Sequence, residues 1–161
     1  MDTAVLRRGY ELVLAEIEAG GFGPPPEGEW TAEQVVAHLA ANDELLAEAT
    51  EAVLAGAPYA YYNHNALHRP QLDGLVAECG GLAGLATLLR ATSQRLCSLI
   101  DRLDAVAADV PVETHIRDGD RIVIDEPVPW GRVVDIHERV HLPAHTDQLR
   151  ALRPAGGAPS A

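Results

Sequence analysis

Residues 82–103, LAGLATLLRATSQRLCSLIDRL, carry the pattern that decides the fold. Leu82, Leu85, Leu89, Thr92, Leu96, Leu99 and Leu103 recur at alternating spacings of three and four. On a helix this spacing lays them along one stripe, the apolar seam of an antiparallel bundle. The spacing predicts a helix over 82–103.

Upstream, WTAEQV (30–35) opens a second helix: Thr31 is the N-cap, Gln34 completes a capping box, and Trp30 is placed to staple onto Val35. Its stripe is Val35, Leu39, Leu46 and Val53, with Asn42 inside it and His38 at its margin; Gly56 and Pro58 stop it after Ala55. Earlier still, Leu6, Tyr10, Val13 and Ile17 define a helix over about 4–19, capped by Asp2 or Thr3 and ended by Gly20 and Gly21. The proline-rich GFGPPPEGE (21–29) is a stiff connection. Residues 57–81 read as a loop plus a short helix, broken by Pro70 and Gly74.

Downstream, VETHIRDGDRIVI (112–124) alternates around Asp118 and Gly119, a small hairpin with Ile122 and Ile124 on one side. Pro127 and Pro129 lead into the last helix, and Pro129 suits its first turn. The fold class expected is therefore all-α, an up-and-down four-helix bundle with a small β-hairpin insertion before the last helix. Residues 1–153 form one domain, and composition predicts a disordered tail over 154–161.

Twenty-four carboxylates against 12 arginines, with no lysine, give a net charge of −12. That charge excludes the cationic surface a nucleic-acid partner needs. No apolar run approaches the roughly 18 residues of a membrane span, and MDTAVLRRGYEL is charged too early for a secretory signal, so the expected location is the cytoplasm. Cys79 and Cys97 fit neither a Cys-x-x-Cys motif nor a disulfide scaffold and are read as idle thiols.

The chemistry gathers in the last helix, RVVDIHERVHLPAHTDQLRALR (132–153), where His137, His141 and His145 follow at spacings of four. Imidazoles at i and i+4 share a face and are the simplest way for one helix to offer two nitrogens to a transition metal. Burying them without a partner costs on the order of several kcal/mol. His38, facing the bundle from the second helix, supplies a third nitrogen and leaves an open coordination position, as in catalytic rather than structural zinc. His137 is read as a pocket residue able to move protons rather than as a ligand. His64 and His68 form a rival pair in a broken segment and are placed at a rim or on the surface, and His115 is expected to be exposed. Pro143 removes a backbone bond to the Arg139 carbonyl: it either kinks the helix, aiming or displacing the imidazoles, or opens a second helical piece.

WTAEQVVAHLAANDELL (30–46) and HLPAHTDQL (141–149), with the weaker YYNHNAL (61–67), resemble the DinB-like superfamily, which includes YfiT-like proteins and the N-terminal domains of mycothiol-dependent maleylpyruvate isomerases. The resemblance implies a four-helix bundle, frequently a homodimer, with a divalent metal, zinc or nickel, on His38, His141 and His145. It also implies a low-molecular-weight thiol such as mycothiol as cosubstrate and a small electrophile as substrate, in S-transfer or isomerisation. His137 and Asn42 are the candidates for proton handling, and Tyr61, Tyr62, Asn63 and Trp130 for the substrate pocket. A noncatalytic metal- or small-molecule-binding bundle is the alternative. A structural dimer whose histidines bond one another and water is the third reading.

Overall fold

The computed structural model describes residues 1–119 and 121–154. In chain order the helices are α1 (Ala4–Ala19), α2 (Ala32–Ala55), α3 (Arg69–Cys79), α4 (Leu82–Ile100), α5 (Ala105–Ala108), α6 (Trp130–Ile136) and α7 (Leu142–Ala151). A π-helical turn, His137–His141, joins α6 to α7, and a 3₁₀ turn, Asn63–Ala66, precedes α3. Three strands complete the chain: β1 (Ala60–Tyr62), β2 (Pro111–Asp118) and β3 (Arg121–Pro129).

Four long helical segments close a ring, α1 on α4 and α7, and α2 on α4 and α7. Along α4, Leu85, Leu89, Thr92, Leu96 and Leu99 are buried in the centre as the spacing requires; the helix ends at Ile100 rather than at 103, with Leu103 buried just beyond it and Leu82 half-buried. Helix α1 starts and stops where its periodicity ends, and α2 carries the expected capping box, the Thr31 side chain accepting from the Gln34 N–H and the Gln34 side chain from the Thr31 N–H. Gly84 lets the first turn of α4 press on the end of α3, since a Cβ there would fall 1.8 Å from the Cys79 carbonyl oxygen.

Two expectations change. The molecule is helical with a three-stranded sheet; α3 is the short helix expected within 57–81, and α5 adds to the helices expected. The hairpin is longer than its alternation suggested, and β2 also pairs in parallel with β1, aligning Tyr62 with His115. Three residues of β1 carry too little periodicity to announce a partner some fifty positions away, so only the hairpin was legible. Pro127 and Pro129 lie within β3, an edge strand, where a missing N–H costs no ladder bond. Of the tail, Pro154 is described and the remainder lies outside the described residues. No single helix among the described residues is long and apolar enough to cross a membrane.

Candidate metal centre

The capping box fixes where α2 begins, and two turns later that helix presents His38, 1% exposed. Opposite it, the helix widens by one residue at a π-turn. Leu142 N–H bonds to the His137 carbonyl, five residues back, and Pro143 then occupies the first turn of α7. Pro143 lacks the N–H that a regular helix would give to the Arg139 carbonyl, and the wider turn absorbs the interruption. The backbone stays right-handed helical through His141 and Leu142, so α7 continues from the π-turn, and the two ligand candidates lie on either side of Pro143.

His38, His141 and His145 come together, their ligand atoms all within 4.8 Å of one another. His38 Nε2 lies 2.9 Å from His141 Nε2. The second nitrogen of each ring is engaged: His38 Nδ1 is 2.7 Å from the Ala66 carbonyl, His145 Nδ1 is 2.8 Å from Gln148 Oε1, and His141 Nδ1 is 3.1 Å from His137 Nδ1. A carbonyl only accepts, so neutral His38 carries its proton on Nδ1 and turns a lone pair at Nε2 toward the cluster. Such partners behind the ring are what orients a metal-ligating imidazole. Trp30 covers the assembly, its ring 4.9 Å from that of His38 and stacked on His145 at 6.2 Å; the aromatic expected as a helix staple lies on the histidines.

Burial, first, and the neighbouring imidazoles, second, push His38 down to about 3 and His141 well below its ordinary value. His137 is likewise lowered to about 3 by burial, and His145 is lowered, burial leading. All four are neutral at physiological pH, the state in which an imidazole nitrogen binds a metal. The donor set fits a divalent transition ion: three uncharged nitrogens on rigid elements, each backed by a hydrogen bond, and no carboxylate in the cluster.

Sequence reasoning did not find what lies behind the cluster. Tyr10 of α1 sets its hydroxyl 2.6 Å from Asp43 Oδ1 and 2.8 Å from His137 Nε2, and Thr92 of α4 donates to Asp43 Oδ2 at 3.1 Å. Asp43 is fully buried and 3.5 Å from His137. The signal was present: Asp43 is four residues after Leu39 and three before Leu46, a carboxylate on the apolar stripe of α2. Asn42 joins the same group, its Nδ2 3.4 Å from His137 Nδ1 while its Oδ1 accepts from Tyr61.

The four residues assigned to the substrate pocket separate. Tyr62 is 47% exposed and stacks on His115 at 4.2 Å. Tyr61 is buried, its hydroxyl on Asn42. Asn63 clamps the β2 bulge, accepting from the Arg117 N–H and donating to the Arg117 carbonyl. Trp130 is fully buried and donates to Thr50. The last three are buried, with their polar atoms paired to protein. His115 is half-buried rather than exposed, held 2.5 Å from Asp125 across the hairpin. His64 and His68 lie on the surface. Cys97 is buried and burial pushes its thiol up to about 11, so it is a poor nucleophile.

The chain has a fold of the DinB-like, mycothiol-isomerase type. The likeness is to a solved mycothiol-dependent maleylpyruvate isomerase, with a TM-score of 0.67 at 19% identity over 96% of this chain. The chain spans 62% of that isomerase's length. No family model matches the sequence, and no curated protein does.

Proposed function

We propose that His38, His141 and His145 hold a divalent ion, zinc or nickel, with a coordination position left open for the thiol of a low-molecular-weight cosubstrate of the mycothiol type. The reaction class is S-transfer to, or isomerisation of, a small electrophile. The observation that carries this reading is the convergence of three neutral imidazoles, each with its second nitrogen already paired. An ion bound there would lower the pKa of a coordinated thiol and hold it as thiolate, the nucleophilic form. The chain's own residues do the rest. Ala66, Gln148 and His137 fix the rings from behind. Trp30 covers two of the rings. Tyr62 offers the one open aromatic face of the four pocket candidates. An outside thiol suits a chain whose buried cysteine is held protonated.

The named isomerase, similar in fold, supports a thiol of this kind, and homodimerisation and a cytoplasmic location are carried as part of the proposal. Because the likeness covers part of that isomerase, a noncatalytic metal- or small-molecule-binding bundle is the second reading. Titration of metal-loaded protein with mycothiol separates the two. Saturable binding that disappears when the metal is removed, and in His38→Ala, supports the enzyme. Thiol binding that is equal with and without metal contradicts it.

A further inference from the structure

Hydrogen bonds behind the histidine cluster form one unbroken line, and the direction of each bond dictates the next. The line starts at the Ala66 carbonyl, which obliges His38 to hold its proton on Nδ1 and leaves Nε2 as a lone pair. His141 Nε2, 2.9 Å away, must then donate when no ion lies between them, since two lone pairs at that distance repel. His141 Nδ1 becomes an acceptor, and His137 Nδ1, at 3.1 Å, supplies the proton. His137 Nε2 in turn accepts from the Tyr10 hydroxyl at 2.8 Å. Having used its proton, Tyr10 can only accept from Asp43 Oδ1 at 2.6 Å. Asp43 at the end of the line is therefore a carboxylic acid.

The surroundings of Asp43 agree. It touches Tyr10 from α1, Thr92 from α4 and His137 from the π-turn, and the further groups that act on it through charge, Cys97, Tyr61 and Glu44, include no cation. Burial pushes its carboxyl up to about 8 against the opposing hydrogen bonds of Tyr10 and Thr92. It keeps its proton at neutral pH.

We propose that Asp43, Tyr10 and His137 form a proton wire ending on His141, and that a divalent ion taken up by His38, His141 and His145 reverses the wire and drives one proton out of the protein. The inference rests on the metal-site reading above. An ion needs the lone pair of His141 Nε2, so that nitrogen must give up its proton. Every link then runs the other way: His141 Nδ1–H donates to His137 Nδ1, His137 Nε2–H to Tyr10, and the Tyr10 hydroxyl to an Asp43 carboxylate. Each residue of the line held one proton before; afterwards Asp43 has passed its proton along the line, and the proton displaced from His141 Nε2 goes to solvent. No histidine changes its net charge. The carboxylate left behind offsets part of the charge of the ion, and the cost of burying either charge alone falls.

Three neutral imidazoles alone would take up an ion without releasing protons, so a proton count decides the matter. Tag-free protein is titrated with Ni²⁺ at about pH 6.5 by calorimetry in two buffers of different ionisation heat. Wild type releases about one proton more than Asp43→Asn, and a proton from metal-bound water, common to both, cancels in the difference. Wild-type affinity rises about tenfold per pH unit between roughly pH 6 and 8, while that of Asp43→Asn stays flat. Tyr10→Phe, which cuts the wire without removing the carboxyl, follows Asp43→Asn. Equal proton release and parallel pH profiles in all three proteins overturn the wire while leaving the metal site standing. If Asp43→Asn does not fold, wild type and Tyr10→Phe still decide: no release from wild type overturns the proposal. Failure of wild type to take up the ion, or equal uptake by His141→Ala, overturns the metal reading and the wire with it.

Discussion

Helix α4 and the segment α6 to α7 are both amphipathic, both face the same core and both carry a regular sequence spacing, yet the spacing means different things in the two. In α4 it is a packing repeat, and the chain obeys it as an uninterrupted helix from Leu82 to Ile100. In the histidine segment the spacing of four is interrupted by Pro143 and broken by a π-turn over the very residues that carry the chemistry. Packing tolerates only regularity there, whereas a site can use a local irregularity to aim side chains that a straight helix would send elsewhere. The difference predicts that changes to the α4 leucines should act on stability alone and histidine-segment changes on ligand binding and pH dependence.

The largest effect to test that division is His141→Ala, which removes a ligand. Metal affinity should fall by more than about 100-fold, beyond the range for a residue acting from behind a ligand, while the urea midpoint moves little. Leu96→Ala, fully buried on α4, is the counterpart: a loss of about 2 to 5 kcal/mol in denaturant unfolding, with metal affinity per folded molecule unchanged. If Leu96→Ala weakened the metal tenfold or more, the two regions would not be separable in this way.

Acid should distinguish them as well. The histidines are depressed in the folded state, His38 and His137 to about 3, so the unfolded chain binds protons that the folded chain refuses. Their contribution to stability is present above the ordinary imidazole value of about 6.5 and is lost as pH falls from there toward about 3. Metal-free protein should lose denaturant resistance through that window, and Leu96→Ala should follow a parallel curve displaced downward. A wild-type midpoint that is level from about pH 7 to pH 4 would mean the rings are not buried as described.

Pro143→Ala probes the irregularity itself. Restoring an N–H to the Arg139 carbonyl lets the segment return to a regular helix, a gain of up to about 3 kcal/mol in stability, with metal affinity falling about tenfold as His141 turns away from His38. Unchanged affinity would show that the π-turn has another cause. The smallest effect belongs to Thr31→Ala at the start of α2, a loss of about 1 kcal/mol from its capping box, with no change in metal binding.

How much of this was legible follows from range. The α4 repeat, the α2 capping box and the ends of α1 rest on contacts within a few residues, and the sequence states them directly. The parallel pairing of β1 with β2 depends on partners far apart in the chain and has no local mark. At the site, residue type and spacing pointed to His38, His141 and His145, and the fold brings all three together. Asp43 and Tyr10 were missed because each looked like part of a helix: Tyr10 as one more core residue, Asp43 as one more carboxylate in an acidic chain. Only the fold, which sets α1 across the core from α2 and beside the π-turn, reveals that they meet at His137. Trp130 and Asn63, chosen for their chemistry, have polar atoms that find partners across the fold.

The most direct test is the metal content of tag-free protein and of His141→Ala. A metal site on these three histidines predicts about one equivalent of a divalent transition ion per wild-type chain and under about 0.2 in the variant. Under about 0.2 equivalents in wild type, unchanged in His141→Ala, would contradict it.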